Sequence, residues 1–335
     1  MKIMDKMILI LQSFGILLVV LGHSIKEGTV LHTYIYSFHM PLFFFISGYL
    51  LDLSSKSNIN FIKFKYFLIK KIQRLLIPYF VISSIAYIPK YILNKFAVRP
   101  VEMNLKSYIC GFLYPWDNSI IFFWFLPTLF FIMLFTVIFL KELSKKVKNL
   151  LIISLLFYIV SGYIKIKFLN IEGILKYTVF FSVGIFYNQN KEKIDNFFKL
   201  DKSKYIIIYN IILFINCIKY FFQWDFIIFQ ELKSLFISLI GILFSISLAK
   251  YICKNNIQIF KILYRKSYTI YLYSWFPQVL IRIIGIQILR IEWYYISPIS
   301  FIFGVLFPVF LNVIIDYAIS KKNMPKHYLS ILFGL

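Results

Sequence analysis

Two histidines lie in strongly apolar stretches near the start of the chain. His23 comes at the end of the segment GILLVVLGHS (15–24), and His39 lies near the start of a second apolar stretch, SFHMPLFFFISGYLL (37–51). Burial disfavours the charged imidazolium, so we expect both rings to be mainly neutral near pH 7. A neutral imidazole in a dry site can remove a proton from an alcohol that attacks an acyl group. The pair therefore indicates general-base chemistry.

A packing role is the alternative for each of these polar residues. Ionisable side chains inside membrane spans are costly and mark functional sites by default. This favours a functional role for His23 and leaves a functional and a packing role equally open for His39. His32 lies in a short connection and His327 in the tail, so both are interpreted as structural.

Small and helix-breaking residues follow His39. Pro41 lacks a backbone donor and frees the carbonyl one turn earlier, so the helix can bend or begin there. Ser47 and Gly48 allow a neighbouring helix to approach closely, which favours a packing role for both residues.

Arg74 is the third candidate, in the segment KKIQRLLIPYF (70–80). It comes just before an apolar run, at the predicted inner mouth of the third span. A guanidinium there can hold a phosphate-bearing ligand through two parallel hydrogen bonds. The alternative is that Arg74 extends to lipid headgroups, as Lys70 and Lys71 are expected to do.

The elements that position these residues are predicted from composition and run length. Of 335 residues, 60% are hydrophobic and only 15% are charged, which is typical of an integral membrane protein. A helix needs about 20 apolar residues to cross a bilayer. Such windows occur near 7–25, 34–52, 75–93, 119–140, 149–164, 171–188, 205–222, 232–249, 267–289 and 294–316. We predict an all-α bundle of about ten transmembrane helices, the first one retained, forming a single domain over residues 1–335.

Charge indicates the orientation of this bundle. Lysine and arginine concentrate in alternate connections, at 54–74, 141–148, 189–204 and 250–266, and at both ends of the chain. Cytoplasmic loops carry such an excess, so we expect both termini to be cytoplasmic. The formal net charge of +23 is thus assigned to loops facing membrane lipids, and no nucleic-acid partner is expected.

Cysteine usage indicates neither disulfides nor metal. Cys110, Cys217 and Cys253 are odd in number and follow no metal-ligand spacing, so we expect no metal cofactor.

With these residues in place, the chain resembles the membrane-bound acyltransferase-3 family, which includes bacterial O-acetyltransferases of sugars and polysaccharides. The segments that carry the resemblance are GILLVVLGHS, FHMPLFFFISGYLL, KKIQRLLIPYF, WFLPTLFF and SYTIYLYSWFPQ, in this order along the chain. The resemblance implies about ten membrane helices and an acyl-coenzyme A donor, generally acetyl-CoA. His23 matches the family's first-helix histidine regarded as catalytic, His39 matches a second motif histidine, and Arg74 matches the arginine before the third span.

Two positions depart from the family pattern. Gln12 stands where many members carry Arg or Lys, and Ser274 stands where a late motif often continues to histidine. Some members also carry a C-terminal extracellular esterase-like domain, which we do not expect in a chain that ends at Leu335.

The resemblance and the residues together predict an O-acetyltransferase of the cell membrane. The expected partners are acetyl-CoA, a cell-surface glycan or its lipid-linked precursor, and membrane lipids. His23 is expected to act as general base, His39 to orient or polarise the thioester carbonyl or the acceptor, and Arg74 to bind a coenzyme A phosphate. A covalent acyl-imidazole route stays open. The alternatives are a non-enzymatic carrier or glycan export component, with the histidines as a proton relay, and a catalytically inactive partner protein.

Overall fold

Helices dominate this chain because a segment in hydrocarbon must satisfy its backbone hydrogen bonds internally. The computed structural model describes residues 6–55, 63–96, 100–141, 146–218 and 227–322, and every regular element in these ranges is helical. The all-α prediction is therefore confirmed. The α-helices are α1 Lys6–Ser24, α2 Val30–Tyr36, α3 His39–Ser54, α4 Phe64–Lys71, α5 Ile77–Ile92, α6 Leu105–Leu113, α7 Phe125–Lys141, α8 Val147–Ser161, α9 Ile171–Gln189, α10 Lys191–Phe197, α11 Ser203–Ile218, α12 Ile227–Lys254, α13 Ser267–Tyr273, α14 Trp275–Arg282 and α15 Trp293–Lys322.

Eight helical segments in the described part of the chain are long and apolar enough to cross a membrane. They are Lys6–Ser24, Val30–Ser54, Phe64–Ile92, Ile121–Leu140, Phe168–Gln189, Ile227–Lys254, Ser267–Ile288 and Trp293–Tyr317. Two shorter apolar helices, Val147–Ser161 and Ser203–Ile215, fall in the fifth and seventh predicted windows. A count of ten spans and the cytoplasmic location of both termini stay predictions.

The second span is broken immediately before His39. Helix α2 ends at Tyr36 and α3 begins at His39, so Pro41 lies in the first turn of α3, where a backbone N–H is not needed. Proline leaves the carbonyl four residues earlier, that of Ser37, without its helical donor. The Ser238 hydroxyl of α12 donates to this carbonyl at 2.8 Å. The prediction that Pro41 lets a helix begin here is confirmed.

Close packing against α12 holds the break between α2 and α3 in place. Phe38, between the two helices, is fully buried, and a Cβ atom at Gly241 would lie only 2.3 Å from Phe38 Cβ and Cγ. Only glycine at 241 therefore leaves room for Phe38 in this position. The backbone that leads into His39 is held by a hydrogen bond and by a steric fit, both supplied by α12.

Two compact units make up the structure. The first comprises Met1–Phe61, Phe139–Tyr163 and Leu175–Ser267. Within it α3 and α9 cross at backbone contact, because a Cβ at Gly48 would lie 1.9 Å from the Phe181 carbonyl oxygen and one at Gly184 would lie 2.0 Å from that of Phe45. The packing role predicted for Gly48 is confirmed. A single domain over the whole chain stays a prediction.

The second unit comprises Ile62–Ile138, Ile164–Ile174 and Tyr268–Leu335. Its helix α4 buries Phe67 and runs through a π-helical turn, Ile72–Leu76, into α5. Lys65 and Lys70 of the same helix are exposed.

Candidate functional site

His23 lies in the last turn of α1 and is half-buried. Its Nδ1 atom is 3.0 Å from the hydroxyl oxygen of Tyr36, the last residue of α2. The Tyr36 ring packs directly over Gly22, where a Cβ atom would approach Tyr36 Cε2 to 2.9 Å. A glycine beside the histidine therefore gives the tyrosine ring the space to reach it.

His39 is the first residue of α3, and only 2% of its surface is exposed. Its Nδ1 lies 2.9 Å from the backbone carbonyl oxygen of Ile35. A carbonyl oxygen can only accept, so the proton of the neutral ring is on Nδ1 and the lone pair is on Nε2. Among the described residues, His39 Nε2 has no hydrogen-bond partner. The ring thus offers one acceptor nitrogen at a buried position.

Tyr36 brings these histidines together. Its ring centroid lies 4.7 Å from that of His39 in an edge-on arrangement and 6.0 Å from that of His23. The His32 ring stacks on Tyr36 at 3.9 Å with an interplanar angle of 23°. We call His23, His32, Tyr36 and His39 the histidine–tyrosine cluster. It lies wholly within the first unit, where the first two spans meet.

Two members of this cluster were not predicted from the sequence to belong to the site. His32 was assigned a structural role, and Tyr36 was not considered. The signal that could have identified them is spacing, because residues 32, 36 and 39 recur at i, i+4 and i+7, the pattern of one helix face. His23 and His39 were interpreted as a pair, and the face shared by residues 32, 36 and 39 was overlooked.

Arg74 lies on the π-helical turn between α4 and α5, and its side chain is exposed. Its guanidinium carbon is 5.4 Å from the Tyr268 ring centroid, and the Tyr268 hydroxyl donates to the Arg74 backbone carbonyl. In the described part of the chain no carboxylate pairs with Arg74. The Arg74 guanidinium packs against an aromatic ring and has no carboxylate partner there, so it can bind an anion.

A fixed aromatic surface lies elsewhere in the second unit. The ring of Trp116 stacks on Trp124 at 5.0 Å and 16°, and its indole N–H donates to Asn170 Oδ1 at 2.9 Å. Asn170 in turn donates to the Thr128 hydroxyl at 2.7 Å. Trp116 nevertheless keeps 40% of its surface exposed. Its orientation is set from within the protein, which leaves a rigid apolar face outward.

The apolar spans, with the histidine–tyrosine cluster where the first two of them meet, define a polytopic helical membrane protein. A family model described as an acyltransferase domain, that of the acyltransferase-3 family, matches residues 8–317. The chain belongs to this family and is a multi-pass membrane acyltransferase. No curated protein and no solved structure matches the chain.

Proposed function

We propose that this protein is an O-acetyltransferase of the cell membrane. It transfers an acetyl group from acetyl-CoA to a hydroxyl of a cell-surface polysaccharide or of its lipid-linked precursor. The observation that carries the proposal is the buried His39, which contacts the same tyrosine ring as His23 and presents Nε2 as an acceptor. Family membership supports the acyl transfer itself.

His23 is the general base in this proposal. Its Nδ1 contacts the Tyr36 hydroxyl, and its Nε2 takes the proton from the acceptor hydroxyl. The acceptor oxygen forms a bond to the thioester carbonyl carbon, and the bond from that carbon to sulfur then breaks. The departing coenzyme A thiolate recovers the proton from His23 Nε2, which restores the neutral ring.

His39 orients the acceptor. A neutral ring whose Nδ1 proton is given to the Ile35 carbonyl cannot donate from Nε2 to the thioester oxygen. It can accept a hydrogen bond from a neighbouring hydroxyl of the acceptor sugar. Of the two roles that the sequence leaves open for His39, this geometry supports the acceptor-orienting one.

Arg74 binds a phosphate of coenzyme A. The exposed guanidinium has a planar fork that matches phosphate, and Lys70 and Lys71 one turn earlier add positive charge. The Tyr268 face beneath the guanidinium limits its motion, so less side-chain freedom is lost when the anion binds.

Trp116 supports a glycan as the acceptor. A sugar ring has an apolar face of C–H groups that packs well on a flat indole, whereas its hydroxyls stay hydrated at the edge. The Trp116 indole is held by Trp124 and Asn170 and needs no rearrangement to receive such a face.

The test is acceptor-dependent release of the coenzyme A thiol by the purified protein in lipid nanodiscs. We expect release from acetyl-CoA when cell-envelope glycan is supplied, and coenzyme A binding weakened about 10-fold or more in Arg74→Ala. Glycan movement across the bilayer with neither thiol release nor coenzyme A binding would instead establish a carrier. Labelled acetyl trapped on the protein would replace direct attack by the acyl-imidazole route.

A further inference from the structure

The mechanism above uses the 3.0 Å contact between the Tyr36 hydroxyl oxygen and His23 Nδ1 without saying which of the two atoms donates. We propose that Tyr36 is the positioning residue of the general base: its phenol oxygen accepts the Nδ1 proton of His23. The neutral ring then has its lone pair on Nε2, the atom that takes the acceptor proton in the mechanism proposed above. The role in the reaction rests on the function proposed above, whereas the hydrogen bond itself does not.

The charge state formed during the reaction supports this direction. When His23 has taken a proton, both ring nitrogens are donors, so Nδ1–H needs an acceptor. The Tyr36 oxygen, 3.0 Å from Nδ1, is placed to be that acceptor. Hydrogen bonds to charged groups are stronger than those between neutral groups, so this contact strengthens as the imidazolium forms. Tyr36 thus stabilises the protonated base more than the neutral one.

His39 shows the same arrangement with a different acceptor. The Ile35 carbonyl takes its Nδ1 proton at 2.9 Å. With Tyr36 as acceptor for His23, both imidazoles have the same tautomer, and Nε2 is the reactive nitrogen of each. Consecutive residues of α2, 35 and 36, therefore set the protonation of both histidines.

The Tyr36 ring is held on several sides, as a positioning residue requires. His32 stacks on it at 3.9 Å, and His39 contacts it edge-on at 4.7 Å. Gly22 leaves the space that the ring occupies beside His23. The position of the phenol oxygen is thus set by its surroundings. The stacking contact gives His32, which the reaction does not otherwise use, a role in holding Tyr36 in place.

Tyr36→Phe tests the oxygen while keeping the ring contacts. Losing a hydrogen bond to a charged ring should lower kcat roughly 10- to 150-fold. The KM for acetyl-CoA should change by less than about twofold, because Tyr36 acts on the base and not on donor binding. The matched control is Tyr209→Phe, which removes another tyrosine hydroxyl that makes a 3.0 Å bond, to the Phe198 carbonyl. The control should keep the wild-type kcat.

A second variant moves the ring without changing its chemistry. Gly22→Ala places a Cβ 2.9 Å from Tyr36 Cε2, so the ring must shift and the bond to His23 must lengthen. We expect a loss of kcat in the same direction as in Tyr36→Phe. Gly15→Ala in the same helix is the control, since its Cβ meets the end of the Phe43 ring at 3.2 Å. Wild-type kcat in both Tyr36→Phe and Gly22→Ala would overturn the proposal.

Nitrogen NMR of isotope-labelled histidine gives a readout that needs no substrate. The His23 signals, assigned by their loss in His23→Gln, should show a protonated Nδ1 in the neutral wild-type protein and a changed tautomer ratio in Tyr36→Phe. A proton on Nε2 instead would overturn the proposal even in an active enzyme. A protonated Nδ1 in a protein that transfers no acyl group would support the hydrogen bond and refute the proposed function alone.

Discussion

Replacing Gly241 with alanine should displace His39 without changing any atom of the histidine. A Cβ at 241 would lie 2.3 Å from Phe38 Cβ and Cγ, whereas carbon atoms prefer a separation of about 3.5–4.0 Å. Phe38 or α12 must therefore move by more than about 1 Å. The overlap involves Phe38 Cβ, so rotation of the ring cannot relieve it and the backbone has to shift.

The expected size of the effect follows from that shift. Overpacking of this kind destabilises a protein by about 1–3 kcal/mol. His39 is the next residue along the chain, and misplacing a catalytic group by about 1 Å can lower a rate on the order of 100-fold. Gly241→Ala should thus retain its fold with a lower Tm and lose most acetyl transfer.

The assay compares acetyl transfer per folded molecule and Tm for Gly241→Ala, Gly15→Ala and the wild type. Both substitutions replace a helical glycine with alanine and raise helix propensity alike. The new Cβ at position 15 lies no closer than 3.2 Å to any atom, and its nearest neighbours are at the far end of the Phe43 ring. The control should therefore stay close to the wild type in both measurements. An unchanged Tm and an unchanged transfer rate in Gly241→Ala would refute the claim that α12 positions His39 by this steric fit.

Three further predictions follow from the structure. Arg74→Ala should weaken coenzyme A binding about 10-fold or more, and Arg74→Lys should restore only part of it, as titration by calorimetry would show. Trp116→Ala should raise the KM for a glycan acceptor with little change in the KM for acetyl-CoA, and Trp116→Phe should recover part of the acceptor affinity; equal effects on both constants would contradict a stacking role. Gly184→Ala should lower Tm by separating α9 from the Phe45 carbonyl, and an unchanged Tm would contradict backbone contact between α3 and α9.

Much of the fold could be predicted from the sequence because membrane helices are encoded locally. Each long span falls on a predicted window, since about 20 apolar residues suffice to define one. The break before His39 was partly predictable from Pro41. The hydrogen bond from Ser238 to the Ser37 carbonyl at this break was not predictable, because the two residues lie 201 positions apart and no local pattern connects them.

The candidate site was predicted less completely. His23 and His39 were recognised from their apolar surroundings, but the residue that both contact was not. Tyr36 is one of 25 tyrosines in the chain, so its residue type alone indicates nothing. Its role depends on the space above Gly22 and on the distance to His23 Nδ1, which are set by the packing of α1 against α2.

The tautomer of His39 was likewise beyond sequence reasoning. It depends on whether a carbonyl or a donor faces Nδ1, and here the Ile35 carbonyl does. This contact exists because α2 ends and α3 begins within a few residues of each other. Sequence patterns give helix boundaries to within a few residues, whereas this contact depends on the geometry of the break itself.

The most direct test of the central claim is transfer of radiolabelled acetyl from acetyl-CoA to extracted cell-envelope glycan. Membranes that contain the wild-type protein are compared with membranes that contain equally expressed His23→Ala. We predict label on the glycan with the wild type and a decrease on the order of 100- to 10,000-fold with the variant, the effect of removing a general base. Equal labelling by the two proteins, or no labelling by the wild type with any glycan supplied, would contradict the account.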